Sequence, residues 1–367
     1  MLTKYGPVVR LEPNQIAVGD PDLWEEINRM GSPFRKTPFH EKLRIGPDHM
    51  LFSMTDVKQH SNRRRLFARA LSMDALRKNW EPQVRAKVEL CIDQIRAQAQ
   101  HGVADVVRLF RLMAGDTIAL LSFGQSFDML ENGVDSENEY FKALEDAGVF
   151  IVLKDILPFL ITLAPILPWK RLRQIVNADK LITEKGSIAV NNLRDKRLDR
   201  PNLFSNMLAA AEKGEDKLLS DGAIRSEAAG FLLAGSDTTG AAMVYVVWAV
   251  LKRPDLQKRL EDEVAALQPD FTDKDLEQLP LMNKVIEEAL RLYNPASGSI
   301  LRRAPPGGVT WHGYHIPADT IIVTQQWTLV RDEKLFPHAE RYSSQRETQY
   351  SHGWGPDRVL TLVMILV

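Results

Sequence analysis

Cysteine is all but absent. The 367-residue chain has one, Cys91, which excludes a disulfide framework and any zinc site built from several thiolates. An excess of either charge is missing too, since 47 Lys and Arg against 48 Asp and Glu leave a formal net charge of -1. That balance gives no sign of a nucleic-acid partner. Long apolar runs are also lacking. The most apolar region, Val149 to Trp169, is interrupted by Lys154, Asp155, Pro158, Pro165 and Pro168. Val359 to Val367 is apolar apart from Thr361, yet far short of the ~20 residues that cross a bilayer. No transmembrane span is expected, and the start Met1-Leu2-Thr3-Lys4-Tyr5 lacks the apolar stretch of a signal peptide. Internal repeats, low-complexity segments and adjacent Asp pairs are absent as well.

What is present is an ordinary globular composition, 44% apolar and 26% charged, organised around one long apolar stretch. From Ser220, a good N-cap, to Arg253, closed by Pro254, the pattern predicts a helix of roughly 50 Å at 1.5 Å per residue. Ala228, Ala229, Phe231 to Leu233 and Ala241 to Leu251 make it apolar all round, which predicts burial on every side. Its middle, Ala234-Gly235-Ser236-Asp237-Thr238-Thr239-Gly240, costs stability in that setting. The two glycines lose ~1 kcal/mol each relative to Ala, hydroxyls can bond back to the preceding turn and bend the helix, and a buried Asp237 needs a partner or a raised pKa. Two readings stand side by side: a polar kink satisfied by backbone, or a groove with an acid and a hydroxyl facing a ligand.

The rest of the chain reads as mainly α with a small β subdomain. Val8 to Leu11 and Gln15 to Val18 are strand-like around a Glu12-Pro13-Asn14 turn. Pro21 starts a short helix, and residues 34–53 read as a long loop. Helices are expected at 56–71, 82–101, 106–121, 137–152, 167–196, 253–267 and 281–293, with strands and Pro-Gly turns from Leu301. The expected organisation is a single domain over 1–367, with a β subdomain from about 1–55 and 296–330 and a helical part over about 56–295. Cys91 shares a stripe with Val84, Val88 and Ile95 and is expected in the core. His60 and Arg64, four apart in a basic helix, could jointly hold an anion. Glu288 sits on the apolar side of its helix, with Arg291 within reach at i+3.

Taken in order, these stretches resemble the cytochrome P-450 family of haem-thiolate monooxygenases, particularly its fungal members. Ala234 to Thr239 is similar to the oxygen-activation motif of the family's central helix. Glu288-Ala289-Leu290-Arg291 is similar to its E-x-x-R, and Ala339-Glu340-Arg341-Tyr342 to its P-E-R-F segment, with Ala in place of Pro. The resemblance implies a buried structural triad of Glu288, Arg291 and Arg341. It implies a haem cofactor, with His60, Arg64 and Arg302 at propionate-binding positions and Ala234, Gly235 and Thr238 against the haem. It further implies that Thr238 hydrogen-bonds dioxygen while Asp237 helps relay protons. A hydrophobic small-molecule substrate walled by 34–51, 149–169 and 296–300 follows from it, in keeping with secondary metabolism. So does an NADPH-dependent reductase docking on a basic face around Arg63, Arg64 and Arg69. Intact relatives lie on the cytoplasmic side of the endoplasmic reticulum.

The pattern departs from the family at the haem loop, F-x-x-G-x-R-x-C-x-G. His352 to Leu360 looks like an altered version of it in which, with Asp357 taken as an insertion, Leu360 stands where the thiolate ligand belongs. The expectation is a P-450 fold incomplete at both termini, without the ligand cysteine and with activity lost or crippled. The alternative is a non-enzymatic remnant that binds an apolar ligand or a partner. A helical terpene cyclase, the third reading, needs a D-D-x-x-D metal motif that this sequence lacks.

Overall fold

The structure is a computed structural model that describes residues 5–346, apart from 47, 133, 195–201 and 214–219. The chain opens with β1 (Val8–Glu12), β2 (Gln15–Val18), α1 (Pro21–Asn28), β3 (Arg35–Lys36) and α2 (Phe39–Lys42). A helical series follows: α3 (Val57–Ala68), α4 (Met73–Ala99), α5 (Val106–Phe123), α6 (Met129–Asn132), α7 (Val134–Ile156) and α8 (Pro158–Leu163). Next come α9 (Lys170–Arg194), α10 (Ser205–Glu212), α11 (Asp221–Leu251), α12 (Pro254–Ala265), α13 (Asp273–Glu277) and α14 (Pro280–Tyr293). The described chain ends with β4 (Ser299–Arg303), β5 (Val309–Trp311), β6 (Tyr314–Ile316), β7 (Ile321–Gln325) and α15 (Gln326–Leu329). The described residues separate into two compact units, 5–39 with 242–346, and 40–241. The boundary falls within α11.

The unit of residues 40–241 is helical, around a three-ring cluster. Phe67 of α3, Phe204 and Phe231 of α11 pack with centroids 5.2–5.7 Å apart, in the tilted and edge-on arrangements that aromatic rings prefer. Ser220 caps α11 by accepting from the amide of Ala223 at 3.0 Å. The basic helix α3 turns one arginine inward. Arg63 is buried and bonds Glu227 of α11 at 2.7 Å, with both side chains 3% exposed or less. Arg63 therefore does not belong to the basic outer face expected of this helix. Phe67, one turn on, shares its inward side, whereas Arg64 and Arg69 are exposed. Helix α4 starts at Met73, capped by Ser72, nine residues before the expected start at Pro82. Pro82 lies inside it, removing one amide without ending the helix.

The other unit is built from both ends of the chain. Its five-stranded sheet has the order β1-β2-β7-β4-β3, with β2 and β7 parallel and the remaining pairs antiparallel. Val18, Ile27, Phe34, Trp311 and Ile322 form its core. Away from the sheet, Leu256 and Leu260 of α12 pack on Val285 of α14. Glu288 is the polar hub of this unit. Arg291 grips it with two hydrogen bonds, of 2.7 and 2.9 Å, and donates to the carbonyl of Val330. The Ser343 amide donates to Glu288 at 2.9 Å. The second guanidinium at this carboxylate belongs to Arg346, at 3.4 Å. Arg341, the expected third member of the triad, is exposed and contributes its carbonyl, which accepts from Arg346 at 3.0 Å. The turn after Tyr342 carries the inward-facing position five residues down the chain.

Removing one partner of a buried pair costs about 3–5 kcal/mol, so Glu288→Ala should leave little folded protein. Arg346→Ala, which strips a buried acceptor of one charged donor, should cost ~1–3 kcal/mol, against under ~0.5 for an exposed Arg341→Ala. Urea unfolding of the two arginine variants distinguishes the assignments, and equal midpoints would return Arg341 to the hub. Cys91 is buried, and burial pushes its thiol up to about 11. At pH 8 such a thiol is roughly one-thousandth thiolate, far below an ordinary cysteine. A disulfide-exchange reagent should label it only as the chain unfolds; fast labelling of native protein would put it outside the core.

Candidate functional site

The Ser-Asp-Thr-Thr stretch lies within an unbroken helix, α11 running from Asp221 to Leu251. Ser236 is fully buried and donates to the carbonyl of Leu232 at 2.9 Å, while Thr238 donates to the carbonyl of Ala234. Both hydroxyls thus satisfy themselves on the preceding turn. The flanking glycines have a packing reason. A Cβ on Gly235 would stand 2.8 Å from Ile118 Cγ1, and one on Gly240 would stand 3.0 Å from Arg111 Cα. Only bare Cα atoms let α5 cross α11 this closely. For Gly235, expected against a cofactor, the structure shows contact with a neighbouring helix.

That crossing brings Arg111 to Asp237. The guanidinium Nε and Nη2 each lie 2.9 Å from Oδ1 of the carboxylate. Nη2 also reaches Glu145 of α7 at 3.3 Å, and the guanidinium lies 4.5 Å from the centre of the Phe141 ring. Asp237 is not buried, as expected from the apolar run, but 38% exposed at its side chain. The second half of α11 also departs from burial on every side, with Tyr245 and Trp248 exposed and packed on Tyr293 at 5.3 and 5.4 Å.

His60 is half-buried on α3, and Arg64 is exposed one turn further on. Arg302 lies in the middle of β4, paired with Ile322 on one side and Lys36 on the other. Its guanidinium donates to the carbonyl of Leu301 at 3.0 Å, and burial pulls its pKa below the ordinary value. Among the described residues no carboxylate lies within ion-pair distance of it. A partly buried cation without an anion among the described residues fits a ligand carboxylate, the chemistry of a haem propionate.

The stretch expected to wall in a substrate, 149–169, turns much of its apolar surface outward. Val152, Ile156, Phe159, Ile166 and Trp169 are all exposed. The loop before α3 is pinned instead, by Gly46 N–H to Asp179 at 3.0 Å and Leu51 N–H to Glu227 at 2.8 Å. Sequence reasoning missed Arg111 and the Arg63–Glu227 pair. For Arg63 a signal existed, its i+4 spacing to Phe67; for Arg111 the only hint was a lone charge in the apolar run Leu109 to Ala114. The expected haem loop, His352 to Leu360, lies outside the described residues, so the absence of its thiolate stands on the cysteine count alone.

Comparison with known proteins converges on one family. The profile described as Cytochrome P450 matches residues 1–348. Cytochrome P450 monooxygenase stcB of Emericella nidulans is 37% identical over 348 residues, covering 94% of this chain and 66% of that protein. Cytochrome P450 monooxygenase aflV of Aspergillus parasiticus is 38% identical over 344 residues, covering 91% and 67%. Methylphloroacetophenone oxidase of Cladonia uncialis is 29% identical, covering 92% and 76%. The chain thus spans about two thirds of the length of the first two relatives. The crystal structure of a cytochrome P450, CYP102L1, superposes with a TM-score of 0.80 at 20% identity, over all of this chain and 89% of that one. Sequence and fold agree: the chain belongs to the cytochrome P450 family.

Proposed function

We propose that the chain carries the cofactor-holding and proton-handling residues of a haem-dependent monooxygenase, which oxidises a hydrophobic small molecule with dioxygen and electrons from an NADPH-dependent reductase. Secondary metabolism on the cytoplasmic side of the endoplasmic reticulum is the setting we assign to it. The carrying observation is Arg302, a partly buried guanidinium whose one hydrogen bond among the described residues goes to its neighbour's carbonyl. Haem, when bound, supplies the oxidative chemistry that no side chain here can provide. In this reading Arg302 holds one propionate by charge-assisted hydrogen bonds, and His60 and Arg64 are the motif-assigned partners of the other.

Asp237 and Thr238 divide the proton work by position. Consecutive side chains leave a helix about 100° apart, so the carboxylate and the hydroxyl serve different directions. Asp237 reaches solvent and is held at Oδ1 by Arg111, so in this reading it is the acid on the solvent side of the relay. Thr238 commits its proton to the carbonyl of Ala234. It accepts a hydrogen bond in that state and donates one only by giving up the Ala234 carbonyl, at a cost of ~1 kcal/mol. Arg64 and Arg69, both exposed, remain for the reductase to approach; Arg63 does not.

The only cysteine is buried and protonated, so it offers no thiolate. That observation favours the second reading, binding of an apolar ligand without oxidation, for the chain as it stands. The chain reduced in the presence of haem and carbon monoxide should therefore lack the absorption band of thiolate-ligated haem. Appearance of that band would overturn the reading of Cys91. The monooxygenase reading is tested by joining residues 1–349 to the haem loop and closing helix of a fungal relative. In that protein Thr238→Ala should keep the haem spectrum but lower product formed per NADPH, with peroxide rising in its place. Loss of this kind of proton assistance is worth roughly 10²-fold or more, and Thr238→Ser should largely restore coupling. Equal coupling in the alanine variant and its parent would reduce Thr238 to a helix residue.

A further inference from the structure

Two contacts hold the loop after α2 against α7 and α9. Lys42, the last residue of α2, bonds the carboxylate of Asp155 near the end of α7. Further along the loop, the Gly46 amide donates to Asp179 of α9 at 3.0 Å. Arg44 stands midway between these two anchors, and Lys154 is the chain neighbour of Asp155. The anchors therefore carry a guanidinium of the loop up to an ammonium of α7. All of these residues belong to the same compact unit.

Charge does not balance at this place. Lys42 takes Asp155, Asp179 accepts from the Gly46 amide, and Glu41 is engaged by Thr55. Among the described residues neither Arg44 nor Lys154 makes a hydrogen bond or an ion pair, and Nε of Arg44 is buried without an acceptor. Lys154 is partly buried, with its Nζ 5.8 Å from the centre of the Phe150 ring. Burial, and after it the charge of Arg44, pull the Lys154 ammonium below the ordinary lysine value, while Asp179 opposes them. Lys42, Arg44 and Lys154 against Asp155 and Asp179 leave one positive charge over. Two cations brought together in this way repel, and an anion between them reverses the sign of the interaction.

We propose that Arg44 and Lys154 together bind the carboxylate of a hydrophobic small-molecule acid. A guanidinium offers Nε and one Nη as a parallel pair that matches two carboxylate oxygens, and a lysine adds a point charge from the side. The apolar body of the acid has Phe150 and the partly buried Ile151 beside it on α7. Arg44 and Lys154 fall in the two stretches, 34–51 and 149–169, from which a substrate wall is expected. The inference deepens the monooxygenase reading by naming a substrate class, and rests on that reading for the fate of the bound acid.

The experiment titrates the purified full chain, by calorimetry, with 2-naphthoate and decanoate and with the amide of each acid. The parent should bind the acids about tenfold or more tightly than the amides, as hydrogen bonds to a charged group allow. Arg44→Gln should remove most of that preference while leaving amide binding as it was. Lys154→Gln should weaken the preference, and Arg44→Lys should keep part of it. Lys180→Gln is the control, because Lys180 is exposed and paired with Glu184 along α9, and it should change neither ligand's binding. The melting temperature of Arg44→Gln should match or exceed that of the parent; if that variant does not fold, Lys154→Gln carries the test. No preference for either acid in the parent, or a preference that survives both glutamine substitutions, overturns the proposal. These titrations need no haem. An acid-selective chain that takes up no haem would sink the monooxygenase reading alone, and a haem-binding chain indifferent to the carboxylate would sink this inference alone.

Discussion

The close crossing of α5 over α11 is the constraint on which the candidate site depends. Two glycines on α11 admit the backbone and side chains of α5 at distances no larger residue allows. Each glycine weakens a helix by ~1 kcal/mol relative to alanine, and a helix without packing partners would not tolerate both. The compensation is tertiary, since α5 buries Leu109, Leu112, Ala114, Ile118 and Ala119 in the same unit. A consequence of that approach is chemical. Arg111 arrives beside Asp237, so an acid within an apolar stretch obtains its counter-charge from the helix that the glycines admit. Packing and electrostatics at this point are one requirement.

A buried ion pair ties the same helix down further toward its start. Glu227 accepts from Arg63 and from the amide of Leu51, joining α3 and the preceding loop to α11. Burying both charges forfeits their hydration, and a well-packed apolar pair of similar shape is often as stable. What the ion pair adds is selection of geometry: a register error in α3 would leave Glu227 unpaired in the core. Glu288 works in the same way in the other unit. It gathers Arg291, Arg346 and the Ser343 amide, and through Arg291 it reaches the Val330 carbonyl. One carboxylate thereby fixes where a long irregular segment returns to α14.

Much of this was legible in the sequence because it follows from periodicity. The central helix, its Ser220 cap, the burial of Glu288 and the strands drawn from both ends all rest on local pattern. What escaped notice depends on partners distant in sequence. Asp237 read as buried because the run around it is apolar, but the helical wheel does not show where neighbouring helices stop. The triad position went to Arg341 rather than Arg346 because both lie in similar short runs, and only the path of the turn decides which guanidinium faces Glu288. In the run Arg63-Arg64-Arg65, composition treats three residues alike, whereas spacing to Phe67 singles out the first. Glycines were costed as helix weakeners, which is correct locally and incomplete once a second helix packs against them.

The interactions that hold this fold do not pass through the cofactor. The aromatic cluster of Phe67, Phe204 and Phe231, the Arg63–Glu227 pair and the Glu288 hub are built from protein groups. Arg302 is different, because it carries a partly buried charge for which the described residues supply no anion. β4 pairs through its backbone, which an aliphatic residue would do equally well, so the sheet itself does not call for a cation at this position. A charge that the fold does not need, with no counter-charge among the described residues, is what a ligand carboxylate would complete. By the same reasoning Cys91, which packs well and bears no unmet demand, points to none. Family membership is therefore written in the packing, and the proposed site in a cation for which the described residues supply no counter-charge.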